Sequence, residues 1–158
     1  MYRQTLRAMN AQEKREKERR KQMKVYRTTE GTVFEVVCGI LCIAFWAIEL
    51  LSMSRSGVAD AGDLIGLVAI TGAVVAMLVS AYHPYWLNTA DEHIENSRQL
   101  ALLVQSVRVL ALGLATFFLI LSLKDLYGWQ LPEWTKYISI GLFVGIPLTY
   151  TILIRRAK

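Results

Sequence analysis

The chain has 158 residues, 54% of them apolar and 20% charged, with a formal net charge of +5. That length leaves room for one membrane bundle and no second globular domain once four apolar runs are set aside. The net charge misleads as a whole-protein figure: residues 1–31 hold ten basic and four acidic groups, net +6, and the rest holds eight and nine, net −1.

The chain opens with the basic segment, 1–31. Over 1–27 it is rich in helix formers and lacks Gly and Pro, and Glu13 with Lys17 and Glu16 with Arg20 stand four apart in the favourable order. Its apolar residues (Tyr2, Leu6, Met9, Met23) are too sparse for a membrane-lying stripe. The segment reads as a solvated, partly helical arm that holds the N-terminus inside and meets anionic lipid headgroups through residues 1–27. Docking on a protein partner is an open alternative. Nucleic acid is not expected, because aromatic interleaving and any known module are missing.

Four apolar runs follow, at 32–53, 64–82, 100–123 and 138–154. A helix needs roughly 20 residues to cross a hydrocarbon core of about 30 Å. The first three meet that length, and the fourth reaches it with Tyr137 and Arg155 in the interfaces. The expected fold is therefore all-α and integral to a membrane: four transmembrane helices over 32–158, preceded by the basic cytoplasmic arm. A cleavable signal peptide is not expected, since both the basic region and the first run are too long.

Thr32-Val33-Phe34-Glu35 has the form of a capping box, and Thr89-Ala90-Asp91-Glu92 repeats it before the third run. The first predicts a helix start at Thr32, the second a start near Ala90. On the first run Glu35, Cys38, Cys42 and Glu49 share one helical stripe. The two cysteines suit a packed core better than a metal site, for which only His83 and His93 remain as further ligands. No metal and no cofactor is expected.

The second run carries Gly72, Ala76 and Ser80 at four-residue intervals and ends at His83-Pro84. The fourth carries the pair Gly141 and Gly145. Small residues at this spacing allow close helix approach in lipid, within one chain or between copies. The third run holds Arg108, eight residues in and so about 12 Å deep by the helical rise. An Arg at that depth costs at least about 2.5 kcal/mol unless it finds a partner or snorkels. Gln105 lies one turn nearer the start, and Glu35 is the carboxylate a snorkelling guanidinium would meet. In the alternative, Glu35 is a cap and Arg108 reaches lipid phosphates.

With the arm inside, Lys and Arg divide fourteen to three between the two sides, which predicts cytoplasmic termini. Tyr127, Trp129 and Trp134 would form the outer aromatic belt, and Tyr82, Tyr85 and Trp86 the inner one. Pro132 suits the first turn of a run into the fourth helix.

His83-Pro84-Tyr85-Trp86-Leu87-Asn88, then Ser97-Arg98-Gln99-Leu100 and Arg108, resemble a pattern in small bacterial membrane proteins of the SdpI-like family. The likeness covers about residues 80–123. After the first run, Ser52 to Val58 replaces the His-Phe-Asn segment of those proteins. The resemblance implies a multi-span immunity or signalling-type protein of a bacterial inner membrane and does not imply an enzyme. Nor does the sequence hold a phosphate loop, G-x-S-x-G or H-E-x-x-H motif. The expected function is non-enzymatic: binding another membrane component in an accessory, immunity-type or regulatory role, as a homo-oligomer or a subunit of a membrane complex. The alternative is an oligomeric transporter or channel with Arg108, Gln105 and Glu35 lining the path.

Overall fold

The computed structural model describes residue 15 and residues 28–57, 61–83, 97–130 and 132–157, with Trp134 and Lys136 described in their backbone only. Apart from Arg15, the arm over 1–27 lies outside the described residues. So do the Thr89 capping box, the expected helix start near Ala90, and Tyr85 and Trp86 of the inner belt. Four helices make up the described fold: α1 (Thr29–Ser56), α2 (Ala61–Ser80), α3 (Ser97–Tyr127) and α4 (Trp134–Arg156). Each is long and apolar enough to cross a membrane, the pattern of a multi-pass membrane protein. At 1.5 Å per residue α1 spans about 42 Å and α3 about 46 Å.

The helix ends follow local chemistry. α1 is capped four residues before the expected Thr32, because Thr28 takes the capping role: its Oγ1 accepts from the Gly31 amide at 3.1 Å. Thr32 is thereby drawn inside the helix, where its hydroxyl donates to the Thr28 carbonyl. Glu35 is then too far along to serve as a cap. Gly57, in the left-handed region at φ 68°, closes α1 by donating to the Met53 carbonyl. α2 ends in a turn at Ala81 and Tyr82, just before His83-Pro84. α4 opens on a turn in which the Thr135 amide donates to the Pro132 carbonyl at 3.0 Å.

α3 is the hub. It packs on α1, α2 and α4, whereas α1 and α2 meet each other more sparsely and α4 touches no other described helix. The buried centre joins Cys38 of α1, Val74 of α2, and Ala111 and Ala115 of α3. Small side chains there let three helices converge on one level. Cys38 is thus a core residue, and both cysteines are free thiols. A second layer is aromatic: Phe117 meets Phe118 and Phe143 edge-on, and Phe45 lies beside Phe118. Tyr127 stacks on Trp129 at 5.2 Å, at the end where the outer belt is expected.

Candidate functional site

The polar stripe of α1 runs along its seam with α3, and its contacts fix the register. Gln105 Nε2 donates to Glu30 Oε1 at 3.3 Å, and Ser122 Oγ donates to the Glu49 carboxylate. The two helices are therefore parallel and nearly in step. α2 runs antiparallel to both: Trp46 Nε1 donates to Thr71 Oγ1 at 2.8 Å, and Tyr82 at the end of α2 returns to Glu35 near the start of α1. One end of the bundle, here the near end, gathers the start of α1, the end of α2 and the first half of α3.

Three helices meet there around Arg108. Its residue is 6% exposed. The guanidinium carbon lies 5.3 Å from the centre of the Tyr82 ring, a cation–π position. The Tyr82 hydroxyl donates to Glu35 Oε1. Arg108 and Glu35 thus share one phenol, its face taken by the cation and its hydroxyl by the carboxylate. The guanidinium also rests on bare backbone. A β-carbon at Gly31 would stand 2.5 Å from Arg108 Nη2 and 2.7 Å from its Cζ. Nη2 itself is buried without a hydrogen-bond partner among the described residues.

Counted from the start of the third apolar run, Arg108 is about 12 Å along its helix; its guanidinium reaches Gly31 in the first turn of α1 and Tyr82 in the turn after α2. α3 extends past the start of α1, since Gln105 is already level with Glu30. Eleven of its residues, 97–107, precede Arg108, about 16 Å of helix. α4 accompanies that extension: the buried Gln99 donates from Nε2 to the Ile154 carbonyl at 3.2 Å. Leu100, Leu103 and Val104 are buried there as well.

Of the expected polar residues, Glu35, Gln105 and Arg108 all belong to the near end. Glu30, Gly31 and Tyr82 complete the group and were not singled out by the sequence as its members. Tyr82 reads as an interface aromatic until the antiparallel register of α2 is known. Gly31 reads as the last residue of the arm.

The small-residue motifs stand elsewhere. A β-carbon at Gly72, Gly141 or Gly145 would meet nothing within 4 Å, Ala76 is exposed, and the Ser80 hydroxyl turns back to its own helix at Met77. Within the described chain the close approach to α4 comes instead at Gly113, whose β-carbon would lie 2.9 Å from Leu142 Cδ2. No group of three or more His, Cys, Asp or Glu among the described residues is placed to hold a metal.

Comparison with protein-family models, with curated proteins and with solved structures gives no match. The class of the protein is carried by its fold: a bundle of four apolar helices of membrane-crossing length.

Proposed function

We propose that the protein is a non-enzymatic, multi-pass membrane protein that acts by binding another membrane component, in an accessory, immunity-type or regulatory role. In this reading it resides in a bacterial inner membrane with both termini in the cytoplasm, so that the near end of the bundle faces inward. The basic arm meets anionic headgroups.

The observation that carries the reading is the way polar side chains are spent. Glu35 with Tyr82, Glu30 with Gln105, Glu49 with Ser122 and Trp46 with Thr71 are paired inside the chain. Between the near-end group and the Glu49 pair the seam is filled by Cys38, Val74, Ala111 and Ala115. A transporter path through one chain would need polar lining at that level, and the packing there is apolar. What remains open is outward. Among the described helices α4 rests on α3 alone, and Gly141 and Gly145 present a flat, unfilled strip to the surroundings. Such a strip suits a partner helix, from a second copy or another membrane protein.

A photo-crosslinking residue at Gly145, introduced in native membranes, tests this. A discrete protein–protein adduct is expected, and labelling of lipid alone would count against it. Substrate flux in proteoliposomes that vanishes in Arg108→Gln would favour the transporter. Orientation is tested by cysteine accessibility: Ser56→Cys and Gln130→Cys should label from outside, Ser97→Cys only after permeabilisation.

A further inference from the structure

Arg108 Nη2 is a donor that burial has stripped of water without an acceptor among the described residues, a rare condition in a folded chain. It points at the first turn of α1, a 28-residue helix whose N-terminal amides and dipole favour negative charge. Thr28 Oγ1 occupies the Gly31 amide of that turn. Nη2 gives up no hydrogen bond to a described residue on turning toward a phosphate oxygen, which would satisfy it. The position also matters. The first turn of α1 and the turn after α2 mark the end of two membrane-crossing helices, which is where phospholipid phosphates lie.

Charge narrows the ligand. Two carboxylates belong to the same end: Glu30 immediately precedes Gly31, on which the guanidinium rests, and Glu35 shares Tyr82 with it. A headgroup carrying only negative charge would meet both. One that pairs its phosphate with an ammonium group would not. Glu30 is exposed, and its contact from Gln105 is a long 3.3 Å, so it retains oxygen lone pairs for a second donor. Glu35 is engaged by the Tyr82 hydroxyl and serves the ligand only through the field it adds.

We propose that the near end of the bundle seats a phosphoethanolamine headgroup of a membrane phospholipid, its phosphodiester on Arg108 and the first turn of α1, its ammonium on Glu30. The inference rests on the membrane-spanning character of the four helices and is independent of the protein-partner reading above. Ethanolamine is preferred to choline because a primary ammonium donates hydrogen bonds to a carboxylate and a quaternary one cannot.

The test is native mass spectrometry of the full chain in detergent, titrated with phosphatidylethanolamine and with phosphatidylcholine. Both lipids are net neutral, so the basic arm treats them alike. The ethanolamine lipid should be retained more strongly, by roughly threefold or more, the size of an exposed ion pair. Glu30→Gln should erase that preference while leaving retention of the choline lipid unchanged. Arg108→Gln should reduce retention of both lipids to background. Should Arg108→Gln fail to fold, the Glu30→Gln comparison still decides. Equal retention of the two lipids by the wild-type chain, or a preference that survives Glu30→Gln, would overturn the proposal. Displacement of the bound lipid by millimolar inorganic phosphate would also overturn it, by showing a bare anion site.

Discussion

The α1–α3 seam has two ends, each with a glutamate from the same stripe of α1, and they are built differently. At the near end Glu35 belongs to a three-helix group that contains a full positive charge. At the far end Glu49 meets one hydroxyl, that of Ser122, from one neighbouring helix. The first arrangement ties α1, α2 and α3 together through a single tyrosine. The second joins two helices that the core already holds. A carboxylate's worth to a bundle therefore depends on how many elements its partner connects and on whether a buried cation relies on it.

The largest effect should come from Arg108 and Glu35. Taking away one member of a charged group leaves the other desolvated and uncompensated. Arg108→Leu and Glu35→Gln should each lower unfolding stability in detergent by about 2 kcal/mol or more, and the double variant should recover part of the sum. Because Tyr82 stands between the two, the coupling should shrink when the cycle is repeated in a Tyr82→Phe background. Strictly additive losses would mean that the shared phenol transmits nothing.

Gly31 sharpens the same comparison by sterics alone. Gly31→Ala puts a methyl 2.5 Å from Arg108 Nη2, and the guanidinium is also engaged by the Tyr82 ring, whose centre lies 5.3 Å from its carbon. A cost of about 1–2 kcal/mol follows from overpacking. Gly113→Ala meets only the tip of the Leu142 side chain and should cost less. Gly39→Ala, facing open space, should be neutral or slightly stabilising. Chemical denaturation of the three variants in one detergent would rank them; a neutral Gly31→Ala would show that Arg108 is free to move aside.

How much of this could be read from the chain alone differs by level. Helix number and order follow from apolar length, and each described helix reaches a few residues past its apolar run at one or both ends. The stripe of Glu35, Cys38, Cys42 and Glu49 follows from 3.6-residue periodicity, and it does face α3. Arg108 stood out because a charge in an apolar run is costly. Its neighbours in the first turn of α1 were hidden, because position counted along one helix is blind to how far that helix slides past the others. Tyr82 and Gly31 were hidden for a related reason. Their roles exist only once the register of α2 against α1, and of α1 against α3, is fixed by tertiary packing. Gly72, Gly141 and Gly145 teach the converse. Four-residue spacing identifies a flat helix face and leaves undetermined which molecule lies on it.

Tyr82→Phe isolates one bond at the near end. It removes the hydroxyl donated to Glu35 and keeps the ring beneath Arg108. A hydrogen bond to a charged acceptor contributes about 1.5–3 kcal/mol, and Glu35 is only half-buried, so a loss of about 1 kcal/mol is expected. Tyr82→Leu, which removes the ring as well, should cost more. Equal losses for the two would place the whole effect in the hydroxyl and leave the cation–π contact without weight.

The smallest effect belongs to the far end. Glu49→Gln keeps an oxygen that can accept from the Ser122 hydroxyl, and no described cation relies on its charge. Removing a carboxylate's charge from an apolar stretch also removes a desolvation cost. The two changes oppose each other, so stability should move by less than about 0.5 kcal/mol. Ser122→Ala is the more damaging variant, since it leaves the carboxylate without the donor that the helix register brings to it. Unfolding of both variants beside Glu35→Gln checks the contrast directly. If Glu49→Gln proves as costly as Glu35→Gln, then the far-end carboxylate also answers a positive charge, and the two ends of the seam are built alike after all.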